Sequence, residues 1–249
     1  RARIGPPYDT MAAKATVTHV IFDMDGLLLD TEVFYTVAQD QVFAAFPGCG
    51  YEERKLELKA MMMGRKSLDA ARMVLEALQL TGEMTPEDFL ARRAAILKDL
   101  LPGATLLPGA QRLLEHLRDS GVPCCLATSS NKQHFLLKTT NHRALFESVF
   151  SHMLNGDDVD KGKPHPEIFL KAKDAFPGDA KPAAGACLVF EDSPNGIEAA
   201  VAGGFHCIHV PDPTMSDKPA APPSQTLKSL LDFNPTEWGL PPFPATTAD

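Results

Sequence analysis

The chain has no apolar run close to the ~18 residues that a bilayer-crossing helix needs, so a membrane role is not expected. It also lacks an excess of positive charge. Its 24 Lys and Arg stand against 32 Asp and Glu, and the formal net charge of -8 offers no bulk field to attract a nucleic acid polymer or an anionic membrane. The five cysteines (Cys49, Cys124, Cys125, Cys187, Cys207) are an odd count without C-x-x-C spacing. That excludes a disulfide framework and a zinc site, and reads as reduced core thiols in a cytoplasmic protein. The eight histidines have no metal-ligand spacing, and the chain has no internal repeat. Residues 1–15, with Gly5, Pro6 and Pro7, lack the apolar core of a secretory signal and read as a flexible tail; Met11 within them is a candidate natural start.

At 249 residues and 44% hydrophobic content, the chain can bury a core sufficient for one large domain or two unequal ones. Its most informative stretch is Val20-Ile-Phe-Asp-Met-Asp-Gly26, in which an apolar strand delivers Asp23 and Asp25 and then a glycine. Desolvating an ionised carboxylate costs several kcal/mol, so two acids at the end of a buried strand imply a cation or a reaction that engages them. This is the candidate active site. Residues 31–46, 51–62, 67–80 and 85–101 then carry apolar side chains at helical spacing, and Thr85-Pro-Glu-Asp88 has the hydroxyl, proline and acids of a helix start. From Leu107 the pattern alternates between strand and helix, with strands expected at 122–127, 149–153, 186–190 and 207–210. The expected fold is therefore α/β: a doubly wound, Rossmann-like parallel sheet with a helical unit inserted after the first strand. Residues 16–30 and 108–240 form the core, 31–107 a helical cap with hinges near Thr31 and Pro108, and 241–249 a C-terminal tail. Residues 211–223, with five prolines, read as a loop.

In an open α/β sheet, ligands bind outside the carboxyl ends of the strands. Four strand ends here finish in polar residues: Asp23 and Asp25; Thr128-Ser-Ser130; Asp157-Asp158 leading to Lys163; and Glu191-Asp192. Together they supply a carboxylate nucleophile, a second carboxyl group to move protons, oxygens for a hard cation, and donors for phosphate oxygens. Each has a duller reading: a turn for Asp-x-Asp, a strand-end hydroxyl for Thr128, a solvated charge for Lys163, and a helix start for Glu191-Asp192. Those readings would have to coincide at four strand ends. A phosphorylated receiver domain combines similar residues, but its acid pair precedes the hydroxyl in a shorter chain without an intervening helical unit.

The order Asp23-Met-Asp25-Gly26, Thr128, Gly-Lys163-Pro and Phe-Glu191-Asp192-Ser-Pro-Asn-Gly resembles the haloacid dehalogenase-like superfamily. The helical insertion is similar to the cap of its β-phosphoglucomutase-like subgroup. The resemblance implies Mg²⁺ held by Asp23, Asp25 (through its backbone carbonyl), Asp192 and, directly or through another ligand, Glu191. It also implies Asp23 as nucleophile forming an aspartyl-phosphate, Asp25 as acid and base, and Thr128, Ser129 and Lys163 around the phosphoryl group. Arg65 and Lys66, after Gly64 between two cap helices, are candidates for substrate recognition, and Asn131 and Lys132 for the entrance. The expected activity is phosphomonoester hydrolysis on a small phosphorylated metabolite by a monomer. Residues 19–32, 126–130 and 232–241 are most similar to pseudouridine-5'-phosphatases, which makes pseudouridine 5'-phosphate the expected substrate. A sugar-phosphate phosphatase or a phosphomutase is the alternative.

Overall fold

A computed structural model of the protein describes residues 16–62, 67–213 and 218–245. The described residues contain eight strands: β1 (His19–Phe22), β2 (Leu29–Asp30), β3 (Thr105–Leu106), β4 (Cys124–Ala127), β5 (Phe150–Leu154), β6 (Cys187–Glu191), β7 (His206–His209) and β8 (Gln225–Thr226). Between them run the helices α1 (Glu32–Phe43), α2 (Tyr51–Met62), α3 (Ser67–Ala77), α4 (Pro86–Leu100), α5 (Ala110–Asp119), α6 (Lys132–Lys138), α7 (Arg143–Val149), α8 (Glu167–Ala175) and α9 (Pro194–Ala202). Six strands form a parallel sheet in the order β5-β4-β1-β6-β7-β8. Because β1, β4 and β5 wind one way and β6, β7 and β8 the other, the strand order reverses at β1 and β6. That reversal opens a crevice beyond their carboxyl ends.

Both faces of the sheet are covered, and the period-two alternation of β1 shows it. Val20 and Phe22 pack with Leu113, Leu114 and Leu117 of α5 and with Phe146 of α7. Ile21 points the other way, into Ile168 and Phe169 of α8 and Ile197 and Ala200 of α9. A strand buried on both sides has to be apolar throughout, which is why β1, β4 and β6 read as continuous hydrophobic runs.

Helices α1 to α4 have an apolar cluster of their own, built on Val42, Phe43, Tyr51, Leu58, Val74, Leu75 and Phe89. In it the Phe43 ring lies 4.6 Å from Tyr51 and 5.3 Å from Phe89. The start of α4 is set by Thr85, whose hydroxyl accepts from the Asp88 amide at 3.1 Å, with Pro86 behind it. The chain enters and leaves this helical segment through a two-stranded antiparallel ribbon in which Leu29 pairs with Leu106 and Asp30 with Thr105.

Two features differ from the sequence pattern. The single helix expected from Lys132 is divided into α6 and α7. Thr139 and Thr140 donate their hydroxyls to the carbonyls of Phe135 and Leu136 at 2.8 and 3.1 Å, and this side-chain bonding competes with helix continuation. Residues 241–243, expected to begin a tail, dock on α5. His116 Nε2 donates to the Pro241 carbonyl at 2.9 Å, and the Arg112 guanidinium lies 4.3 Å from the Phe243 ring.

Candidate active site

Asp23 follows β1 directly, and its amide continues the ladder by donating to the Phe190 carbonyl at 3.0 Å. This brings the ends of β1 and β6 side by side. Lys163 donates to Asp23 Oδ1 at 2.5 Å, to Glu191 Oε1 at 2.6 Å and to the Ala127 carbonyl at 3.1 Å, so all three of its N–H groups are engaged. Glu191 is fully buried, and its Oε2 accepts from the Asp192 amide, the Ser193 amide and the Ser193 hydroxyl at 3.0, 3.1 and 3.1 Å. Two glycines permit this packing. A Cβ at Gly196 would lie 1.9 Å from Glu191 Cδ, and one at Gly26 (φ +74°) would lie 2.3 Å from Asp192 Oδ2.

Carboxylate oxygens of Asp23, Glu191 and Asp192 lie within 4.8 Å of one another, with one ammonium among them. The Asp23 carboxyl is pushed up to about 7 by burial, with Glu191 and Asp25 adding to the shift and Lys163 opposing it. Asp192 is raised well above the usual carboxylate range by burial, then by Glu191 and Asp23. Lys163 is held above its ordinary value because Asp23 and Glu191 outweigh the cost of its burial. Three clustered carboxylates with a single balancing cation form a hard-oxygen donor set short of positive charge, and a divalent ion such as Mg²⁺ or Ca²⁺ fits that deficit.

Asp25 sits differently. Its Oδ1 accepts from the Thr31 hydroxyl at 2.7 Å and from Lys138 Nζ at 2.6 Å; its Oδ2 accepts from the Ser130 hydroxyl at 2.7 Å and the Thr128 hydroxyl at 3.3 Å. Burial alone would raise this carboxyl, but the Lys138 charge and these hydrogen bonds overcome it and hold the group below its ordinary value. Sequence reasoning missed Lys138. The available signal was a lysine closing the apolar run Phe135-Leu-Leu137, eight residues beyond Ser130.

Two cavities meet at this point. The smaller, of about 180 Å³, is lined by Asp23, Asp25, Lys163, Asp192, Ser193 and Asp212 among others. The larger, of about 480 Å³, lies beneath α1 and α4 and takes in Tyr35, Gln39, Arg93, Asn131, His134 and Lys138; Asp25, Glu32 and Ser129 line both. Other expected residues are placed elsewhere. Asp157 and Asp158 do not join the acids: Asp157 accepts from the Lys132 amide at 2.9 Å, at the start of α6, and Asp158 accepts from the Asn155 amide at 2.8 Å within its own turn. Asn131 stays at the larger cavity, where its side-chain oxygen also accepts from the His134 amide and caps α6. Arg65 and Lys66 lie outside the described residues.

Residues 17–204 match the haloacid dehalogenase-like hydrolases. The chain belongs to that family. It is 44% identical over 244 residues to (DL)-glycerol-3-phosphatase 2 of Arabidopsis thaliana, covering 95% of this chain and 97% of the relative. It is also 44% identical over 230 residues to a probable pseudouridine-5'-phosphatase of Drosophila melanogaster, covering 91% and 96% respectively. Among solved structures, a putative β-phosphoglucomutase from Thermotoga maritima superposes with a TM-score of 0.67 at 28% identity, covering 85% of this chain and 94% of that one.

Proposed function

We propose that the protein is a Mg²⁺-dependent phosphomonoesterase that hydrolyses pseudouridine 5'-phosphate, with α1 to α4 serving as a cap over the site. The observation that carries this reading is the juxtaposition of Asp23, Lys163 and Asp192 in a small cavity that opens, past Asp25, into a larger one. Asp23 is the nucleophile: its carboxylate oxygen forms a bond to phosphorus as the ester oxygen leaves, giving an aspartyl-phosphate. Asp25 moves the proton: it takes one up from solvent against the pull of Lys138 before giving it to the departing alkoxide. As the carboxylate that Lys138 and its hydroxyl neighbours favour, it then removes one from the water that splits the acyl phosphate, returning Asp23 and releasing phosphate. The Thr128 hydroxyl and the Ser129 amide hold phosphoryl oxygens, and Lys163 joins them by exchanging its bond to Asp23 for one to the transferring group. Asp23, Asp192 and the Asp25 backbone carbonyl would hold Mg²⁺, which would supply positive charge to the transferring group. Glu191, with one oxygen on Lys163 and three donors on the other, orients that set.

The larger cavity supports a nucleoside leaving group, because a three-carbon glycerol ester would leave most of about 480 Å³ to water. Glycerol 3-phosphate is the second reading, favoured by the equal similarity of the Arabidopsis relative. The five free thiols suit a reducing cytoplasm, and among the described residues no helix is long and apolar enough to cross a membrane. A cap that opens and closes suits a monomer. Phosphate release with Mg²⁺ from pseudouridine 5'-phosphate, glycerol 3-phosphate and glucose and ribose phosphates is the deciding assay. Fastest release is expected from the first. Preference for glycerol 3-phosphate overturns the substrate, and no release from any ester overturns the chemistry.

The ion itself has a separate readout. Asp23 and Asp192 must be ionised to hold it, and both carboxyls are raised, so protons compete with the metal below about pH 7. Mg²⁺ is therefore expected to raise the melting temperature more at pH 8 than at pH 5.5. An identical shift at the two pH values, or none, would contradict the assigned ligands.

A further inference from the structure

We infer that Lys138 is a positioning residue that fixes both carboxylate oxygens of Asp25. The inference rests on the phosphatase reading, in which Asp25 carries the proton. Lys138 is 1% exposed, and its ammonium donates to Asp25 Oδ1 at 2.6 Å, to Ser130 Oγ at 2.7 Å and to the Tyr35 hydroxyl oxygen at 3.0 Å. An ammonium has three donors, and all three are committed to groups that line the larger cavity. Enclosing a charge this completely costs several kcal/mol unless it is paired, and the neighbouring Phe135 and Leu137 show that an apolar side chain suits this part of α6. Packing alone gives no reason for a lysine here.

The contact with Ser130 extends the effect to the second oxygen. Because Lys138 donates to Ser130 Oγ, the serine proton turns away from the ammonium and onto Asp25 Oδ2, 2.7 Å off. One ammonium therefore sets Oδ1 directly and Oδ2 through a hydroxyl rotor. The third contact reaches α1, where the Tyr35 oxygen accepts from Lys138 and keeps its own proton for another partner. Asp25 is thus tied at once to the sheet end through Ser130 and to the helical segment through Tyr35.

A residue that acts through Asp25 has no effect once Asp25 is disabled, whereas a residue that merely supports the fold lowers activity in either background. The experiment compares Lys138→Met, Asp25→Asn and the charge-balanced double variant with wild type, on the best ester of the panel and on p-nitrophenyl phosphate. Lys138→Met is expected to lower kcat by roughly tenfold or more with KM within about threefold, and the double variant to match Asp25→Asn within about twofold. Lys138→Arg, which keeps the charge, is expected to recover part of the loss. Wild-type kcat in Lys138→Met overturns the inference, as does a further full loss in the double variant. If Lys138→Met does not fold, Lys138→Arg and Tyr35→Phe carry the same comparison in both Asp25 backgrounds. Wild-type protein that releases no phosphate from any ester overturns the phosphatase reading and this inference with it, while active wild type with an unaffected Lys138→Met overturns this inference alone.

Discussion

Asp23→Asn is expected to remove turnover, by roughly 10⁵-fold or more, while the protein stays folded. The amide has the shape of the carboxylate and its oxygen can still accept from Lys163, but it is a poor nucleophile and a weak ligand for a hard cation. The direction of the stability change is a sharper test than its survival. The folded Asp23 carboxyl sits at about 7, above its unfolded value near 3.9, so the folded state holds the proton more tightly. Its favourable contribution is complete below about pH 4 and is lost as the pH rises through about 7. At pH 8 without Mg²⁺ an ionised Asp23 therefore weakens the fold, and asparagine does not. The melting temperature of the variant should equal or exceed that of wild type at pH 8 and lose any such advantage at pH 5. Substantial residual turnover would rule out Asp23 as the group that accepts phosphate.

Lys163→Met should be the most damaging single change to stability. Lys163 balances Asp23 and Glu191 at the bottom of the crevice, and breaking a buried ion pair from one side typically costs about 3–5 kcal/mol. Methionine replaces the stem but leaves Glu191 Oε1 and the Ala127 carbonyl without their donor. Asp23, already raised to about 7 by burial, can take up a proton in acid once Lys163 is gone, so the difference in melting temperature from wild type is expected to widen between pH 5.5 and pH 8. Mg²⁺ should restore part of the difference at the higher pH and none of the turnover. A variant as stable as wild type at pH 8 would show that Lys163 does not neutralise this cluster.

The two cases also show what could be read before the fold was known. Asp23, Asp25, Thr128, Lys163 and Glu191-Asp192 stand out in the sequence because strongly polar residues at the ends of apolar strands have few structural uses. The parallel sheet was legible for a related reason: strands covered on both faces are apolar at every position. Asp157 and Asp158 had the same outward signature and turned out to accept from backbone amides, one at the start of α6 and one in its own turn, because a carboxylate that satisfies an amide looks the same in sequence as one that waits for a ligand. Lys138 and Tyr35 were hidden for the opposite reason. Their importance lies in a meeting between α6 and α1, over a hundred positions apart, and no local pattern encodes it.

The ribbon of β2 and β3 has a consequence for how this chain can be taken apart. Since Asp30 and Thr105 face each other across a hydrogen-bonded pair, the whole helical excursion begins and ends at a single doorway in the sheet domain. A tight hairpin joining those two residues would close the gap without disturbing β1 or β4, leaving a miniature that keeps the acids and Lys163 but has lost its roof, and that could be fitted with another.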